Sequence, residues 1–162
     1  MPPPRIKLIT PSTPAELEAT RLIFQEYAAQ LGVDLCFQNF EAELADLPGD
    51  YAAPQGALLL AFVGDELAGC GGMRPLPSAD YPNACEMTRL YVRNSHRRLG
   101  LGRQLAEALL DAARVAGYHH VLLDTLSEME SARALYADLN FHEIPPYYHN
   151  PIAGAHYLKA DL

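Results

Sequence analysis

The sequence contains no tryptophan, only three cysteines and no long apolar run. Cys36, Cys70 and Cys85 are too few and too scattered for a disulfide framework or a Cys-x-x-Cys metal site, and they are typical of small buried residues in a reducing compartment. The longest apolar run, Ala57–Val63, is far shorter than the roughly 20 residues of a membrane helix, and the first residues do not resemble a signal peptide. We therefore expect a cytoplasmic protein with no membrane segment and no bound metal.

Basic residues are also scarce, since 12 lysines and arginines face 20 acidic residues and the net charge is −8. This balance argues against nucleic-acid binding, and the length of 162 residues predicts one domain over 1–162. The bases nevertheless cluster locally, because Arg93, Arg97, Arg98 and Arg103 fall within eleven residues. In so acidic a chain this cluster suggests a specific anionic ligand, although a solvated run of charge is the usual explanation of basic clusters.

Short apolar segments alternate along the chain with segments of helical periodicity. The apolar segments predict strands at 5–9, 57–63, 67–74, 84–92, 120–124, 141–144 and 155–162. The periodic segments predict helices at 13–31, 37–47, 102–116 and 127–139, the first and last opened by capping boxes. This order predicts an α/β or α+β mixed sheet in which helix 102–116 is a right-handed crossover. The glycines at 69, 71 and 72 predict irregular pairing of their strand.

The loop between strand 84–92 and the helix after it contains Arg97, Gly100 and Gly102. Glycines at the start of a helix let backbone N–H groups approach a phosphate, and arginines add charge-assisted bonds to its oxygens. A Rossmann-type dinucleotide site, as in an oxidoreductase, is a competing explanation, because an acidic residue lies at a suitable distance downstream. Leu105 stands, however, where that fingerprint requires its third glycine.

The motif Arg97-x-x-Gly100-x-Gly102 is preceded by Met87–Val92 and followed by Ala132–Tyr136 and Asn140-Phe141. In this order, the segments resemble the Gln/Arg-x-x-Gly-x-Gly/Ala loop, the fourth strand and the A-x-x-L-Y…G-F segment of the GNAT superfamily of acyl-CoA N-acyltransferases. The resemblance extends over nearly the whole chain, and segments 37–51, 123–125 and 145–148 are similar to a bacterial subgroup whose substrates are mostly unassigned.

Two positions depart from the family pattern. Asn140 stands where the family often has glycine, and asparagine tolerates the left-handed conformation that ends a helix. Met129 stands where many members have an asparagine that helps to hold the cofactor, so that contact is expected to be missing.

The resemblance implies a mostly antiparallel sheet of about six to seven strands with about four helices, in which strands 84–92 and 120–124 run parallel and splay apart. It further implies that acetyl-CoA inserts its pantetheine arm between them. The expected contacts are Leu90, Tyr91, Val92, Arg97, Arg98, Leu99, Gly100, Leu101, Gly102 and Arg103. The implied acceptor is a small-molecule or peptide amine, and the implied state a monomer or homodimer. A non-catalytic domain that binds acyl-CoA or a protein partner is the alternative.

Acetyl transfer to an amine needs a proton acceptor, because an amine with a pKa of about 10.4 is mostly charged at neutral pH. Glu86 lies eleven residues before Arg97, a spacing similar to that in family members with a glutamate base. By the two-residue period of a strand it shares a face with Thr88 and Leu90 unless a bulge intervenes. The alternative is a structural glutamate paired with an arginine.

Departure of the thiolate needs a proton donor, and the resemblance gives this role to Tyr136. A phenol with a pKa of about 10 stays protonated at neutral pH and can donate to a thiolate. The alternative is a tyrosine that packs on the apolar face of its helix. By resemblance, the loop 145–154, which contains Tyr147, lies near the acceptor's route to the site.

Overall fold

The computed structural model describes residues 5–31, 40–77, 80–97, 99–126, 130–147 and 154–162. In these ranges seven strands form one sheet in the order β1-β2-β3-β4-β5-β7-β6. The strands are β1 (Ile6–Ile9), β2 (Ala57–Val63), β3 (Glu66–Leu76), β4 (Ala84–Val92), β5 (His120–Leu126), β6 (His142–Ile144) and β7 (Ala155–Asp161). The α-helices are α1 (Pro14–Leu31), α2 (Phe40–Asp46), α3 (Leu101–Ala116) and α4 (Glu130–Asp138).

Only one pair of neighbouring strands in this described sheet, β4 and β5, is parallel. The predicted mixed, mostly antiparallel architecture is therefore confirmed. A Rossmann-type site is disfavoured because it needs a doubly wound and mostly parallel sheet.

Helix α1 begins with the predicted capping box. The Thr13 Oγ1 accepts a hydrogen bond from the Glu16 backbone N–H at 3.1 Å, and the Glu16 Oε1 accepts one from the Thr13 N–H at 3.1 Å. This reciprocal pair satisfies two donors that a helix leaves free at its start. The second predicted capping box, at 127–130, lies mostly outside the described residues.

The helices cover both faces of the sheet and enclose two main apolar clusters. On one face α3 contributes Leu109 and Ala113, and Tyr136 and Phe141 join them. On the other face the fully buried side chains Ile23 and Phe24 of α1 pack with α2.

The predicted irregular pairing of this strand is found. Gly71 pairs with β2 but has no partner in β4, and the register of β3 shifts next to Gly69 towards β2 and between Cys70 and Gly72 towards β4. Close contacts in front of two of these positions explain why glycine stands there. A Cβ at Gly69 would lie 2.8 Å from the Tyr91 carbonyl oxygen, and one at Gly72 would lie 2.6 Å from the Tyr51 ring. Glycine at these positions lets the backbone and an aromatic ring approach the strand closely.

We expect Gly72→Ala to destabilise the fold by about 1–3 kcal/mol, because the added methyl group overlaps a buried ring. Gly71→Ala is the matched control in the same strand. Its Cβ would meet only the ends of the Leu109 and Leu90 side chains, at 3.0 and 3.2 Å, and these side chains can rotate away. Denaturant unfolding should give the larger loss for Gly72→Ala, and equal losses would contradict this account of the glycine.

The parallel strands β4 and β5 are paired over only three positions, Ala84 with His120, Cys85 with Val121 and Glu86 with Leu122. Both strands continue beyond this point, to Val92 and Leu126, without pairing to each other. The predicted splay is therefore present, and it opens the sheet just after Glu86.

Candidate active site

A bulge in β4 directs the side chains around the splay. Arg89 has a positive φ of 59°. Cys70 of β3 pairs with Tyr91 of β4 and Gly72 pairs with Thr88, so two steps along β3 correspond to three along β4. The extra residue reverses the alternation of side chains. Arg89 therefore lies on the same face as Thr88, whereas Leu90 packs in the apolar clusters beneath α3. The bulge is the exception that the expectation of a shared face allowed for, so Glu86 does not share its face with Leu90.

Glu86 is buried and both of its carboxylate oxygens accept hydrogen bonds. Arg74 donates to Oε1 from Nε at 3.1 Å and from Nη2 at 2.9 Å, and the Tyr147 hydroxyl donates to Oε2 at 2.7 Å. The side chain is only 7% exposed. The pairing with an arginine that was considered for Glu86 is present, and any role in proton transfer must start from this bonded state.

Glu43 of α2 connects the two arginines of this face. Its carboxylate accepts from Arg74 Nη1 at 3.0 Å and from Arg89 Nε and Nη2, both at 3.0 Å. Burial by itself would lower the pKa of Arg89, but the bonds and charge of Glu43 outweigh burial and raise it. The arrangement keeps Arg89 charged and fixes α2 against the bulge of β4.

No local pattern indicates the role of Glu43, because its partners lie 31 and 46 positions away in the chain. The arginine that pairs with Glu86 in the structure is Arg74. The resemblance predicts that Tyr147 lies near the acceptor's route, but it does not predict the hydrogen bond of Tyr147 to Glu86.

Tyr136 of α4 lies in the apolar cluster that packs beneath α3. It is 7% exposed and its ring packs on Phe141 with centroids 5.6 Å apart. Burial raises the pKa of Tyr136, and the charges of Tyr27, from α1, and Asp124, from β5, raise it further.

The N-terminus of α3 has the form of an anion-binding site. Gly100 is the N-cap residue, with a φ of 77° and no side-chain capping bond. The backbone N–H of Gln104 donates the first hydrogen bond of the helix, to the Gly100 carbonyl oxygen at 3.1 Å. The N–H groups before Gln104 therefore face outward at the positive end of the helix. A Cβ at Gly100 would meet nothing within 4 Å, so the backbone there is open to a ligand.

Most of the predicted basic cluster is engaged within the protein. Arg93 binds Glu26 and the Leu67 oxygen, and Arg103 pairs with Asp138 and Glu107. Arg97 donates from Nε to the Val92 carbonyl oxygen at 3.2 Å, and its side chain remains exposed.

Two apolar residues of the loop pack into the core. Arg98 lies outside the described residues. Leu101 is buried and Leu99 packs against the same apolar cluster, so both anchor the loop to the core. Among the described residues of this loop, an anionic ligand would meet backbone N–H groups and Arg97, because Arg103 is paired with acids.

A cavity of about 260 Å³ opens beside Arg74 on the face that carries Glu86. Its charged lining consists of Glu43, Asp46, Asp50 and Arg74.

No group of three or more His, Cys, Asp or Glu residues suited to a metal ion occurs in the described ranges. No helix within the same ranges is long and apolar enough to cross a membrane.

Comparison with known proteins places these features in a family. Residues 20–141 match the model of the acetyltransferase (GNAT) family. An uncharacterized N-acetyltransferase of Schizosaccharomyces pombe is 36% identical over 163 aligned positions, which cover 100% of this chain and 98% of the relative. The chain belongs to the GNAT family and is an acyltransferase.

Solved structures share the fold. An acetyltransferase from Streptococcus agalactiae superimposes with a TM-score of 0.77 at 16% identity, covering 97% of this chain and 98% of the other. The acetyltransferase YncA of Salmonella typhimurium, solved with its cofactor acetyl-CoA, has a TM-score of 0.71 at 19% identity, with 97% and 94% covered. The mixed seven-stranded sheet with four helices is thus the GNAT fold.

Proposed function

We propose that this acyltransferase is an N-acetyltransferase that moves the acetyl group of acetyl-CoA to a primary amine by direct attack, in a single domain spanning 1–162. The observation that carries the proposal is the parting of β4 from β5 after Glu86, next to the uncapped N-terminus of α3. This arrangement offers a slot for an extended arm and a positive helix end for its phosphates.

In this proposal the loop from Arg97 to Arg103 holds the pyrophosphate through backbone N–H groups, with Leu99 and Leu101 as its apolar anchors. Unpaired backbone groups of Leu90, Tyr91 and Val92 bind the pantetheine arm, and one N–H among them stabilises the tetrahedral oxyanion. The unpaired state of β4 towards β5 supports this assignment, because those groups have no strand partner on that side.

Glu86 and Tyr136 carry the proton transfers in the proposed mechanism. The amine nitrogen loses a proton towards Glu86 and attacks the thioester carbonyl, forming the C–N bond. Collapse of the intermediate breaks the C–S bond, and the Tyr136 hydroxyl donates a hydrogen bond to the departing thiolate. Its proton passes to the sulfur as the second proton of the attacking nitrogen is returned to the phenol oxygen, so that CoA leaves as the thiol and Tyr136 is regenerated. The raised pKa of Tyr136 keeps its proton in place until that step.

The experiment that tests binding uses acetyl-CoA as a stabilising ligand. At about 100 times its Kd, acetyl-CoA should stabilise the wild type by about 2.7 kcal/mol, and NAD should not. Gly102→Leu should remove this effect, because a bulky side chain blocks the approach to the helix N-terminus.

Gly102→Ala is the matched control for this experiment. Its Cβ would meet Leu135 at 3.7 Å and Val92 at 3.9 Å, which are ordinary contacts, and the family motif accepts alanine there. A thermal-shift series in which NAD stabilises the protein and acetyl-CoA does not would overturn the proposal.

A further inference from the structure

The two oxygens of Glu86 are held by donors of different kinds. Arg74 is charged, bonds Oε1 twice, and is itself fixed by Glu43 and by the Tyr51 ring, 5.9 Å from its guanidinium carbon. Tyr147 is neutral and gives Oε2 a single hydroxyl proton. The bond from Arg74 is therefore charge-assisted and anchored, whereas the bond from Tyr147 is the weaker of the two.

An amine that approaches Glu86 must compete with Tyr147. The carboxylate side chain is only 7% exposed, so there is little room for another donor while the phenol is in place. A substrate ammonium makes a charge-assisted bond to the same oxygen and is the stronger donor. Exchange at Oε2 is thus favourable. Exchange at Oε1 would remove one of the two carboxylates that bind the half-buried Arg74.

The Tyr147 ring is supported independently of its hydroxyl. It packs edge-to-face on Tyr157 of β7, with centroids 5.5 Å apart and planes at 81°. Removal of the hydroxyl alone would keep this ring contact and free Oε2. The effects of the hydrogen bond and of the packing can therefore be separated by one substitution.

We propose that Tyr147 is a specificity-determining residue that covers Oε2 of Glu86 until the acceptor amine takes the place of its hydroxyl. The inference rests on the proposed role of Glu86. The phenol acts as an internal competitor, so that weak donors such as water or neutral alcohols do not occupy the oxygen and a primary ammonium does. Part of the binding energy of the amine is spent on displacing the phenol.

The test is the steady-state kinetics of Tyr147→Phe with acetyl-CoA and whichever of ethylamine, L-lysine, spermidine and an N-terminal alanyl peptide reacts fastest with the wild type. The KM for that amine should fall by about three- to tenfold, because a competing hydrogen bond to a charged group has been removed. The KM for acetyl-CoA should not change. A merely structural role of Tyr147 would raise the amine KM or leave it unaltered, and either result would overturn the inference.

Two further variants keep the result interpretable. Tyr118→Phe also removes a phenol hydroxyl, one that donates to the Gln55 carbonyl oxygen at 2.7 Å, and it should leave the amine KM unchanged. In the Glu86→Gln background, Tyr147→Phe should no longer lower the KM. If Glu86→Gln alone keeps wild-type kinetics, the proposed role of Glu86 fails. If it is impaired but Tyr147→Phe does not lower the KM, only the exchange at Oε2 fails.

Discussion

Tyr136→Phe is expected to lower kcat by roughly 100-fold while the affinity for CoA stays almost intact, as for the loss of one positioned proton donor. The substitution removes only the hydroxyl. The ring remains packed on Phe141, and none of the hydrogen bonds found among described residues involves this hydroxyl. The loss should therefore appear in the chemical step rather than in folding or binding.

The environment of Tyr136 specifies how it acts. Burial raises its pKa, with smaller contributions from Tyr27 and Asp124, so the hydroxyl stays protonated throughout the range in which the enzyme is assayed. Full transfer of its proton to a thiolate with a pKa near 8.5 is uphill, and the main contribution is a hydrogen bond that strengthens as the sulfur gains charge. The rate should accordingly show no titration of this phenol up to about pH 10.

Tyr118→Phe is the matched control for Tyr136→Phe. It removes a hydroxyl from another tyrosine packed against the same apolar cluster, and kcat should stay within about twofold of the wild type. If Tyr136→Phe retained wild-type kcat, Tyr136 would be a core tyrosine, as its packing on Phe141 also allows.

Glu86→Gln is expected to give a loss of kcat/KM of about 100-fold or more near neutral pH, and the loss should shrink as the pH rises. With an acceptor pKa of about 10.4, the neutral amine is rare at low pH and a proton acceptor is then needed most. Towards that pKa solvent supplies the neutral nucleophile. A pH series from about 6 to about 10 would measure this trend.

Glu26→Gln is a closely matched control for Glu86→Gln. Glu26 also accepts a hydrogen bond from an arginine, Arg93, and from a tyrosine hydroxyl, Tyr91, each at 2.9 Å, but it lies on α1 and is 35% exposed. Its substitution should cause a small loss of activity without a pH trend. A loss for Glu86→Gln that stays constant over the pH series would mean that Glu86 only positions the substrate.

The sequence predicted the elements well because each has a local signal. The strands Ala57–Val63 and Ala84–Val92 were predicted with the bounds that the structure has, since apolar runs and flanking turn residues delimit them. The capping box at Thr13 fixed the start of α1 in the same way. The splay of β4 from β5 came from the family resemblance and not from any local pattern.

The contacts of the candidate site were predicted less well because they depend on long-range geometry. The bulge at Arg89 gives a non-glycine residue a positive φ, which nothing in its own side chain requires, and it reverses the faces of the residues that follow. The link from Glu43 to Arg74 and Arg89 joins segments far apart in the chain. Of the arginines that suggested phosphate binding, Arg93 and Arg103 are paired with acids, so the glycines are the stronger basis for that prediction.

The most direct test of the central claim is thiol release from acetyl-CoA with ethylamine, L-lysine, spermidine and an alanyl peptide as acceptors, with mass spectrometry of the products. The account predicts that at least one amine is acetylated in equal amount to the thiol released. It also predicts that Gly102→Leu loses this activity while Gly102→Ala retains most of it. Protein that binds acetyl-CoA but acetylates no amine would contradict the account and favour a binding domain that has kept the loop without turnover.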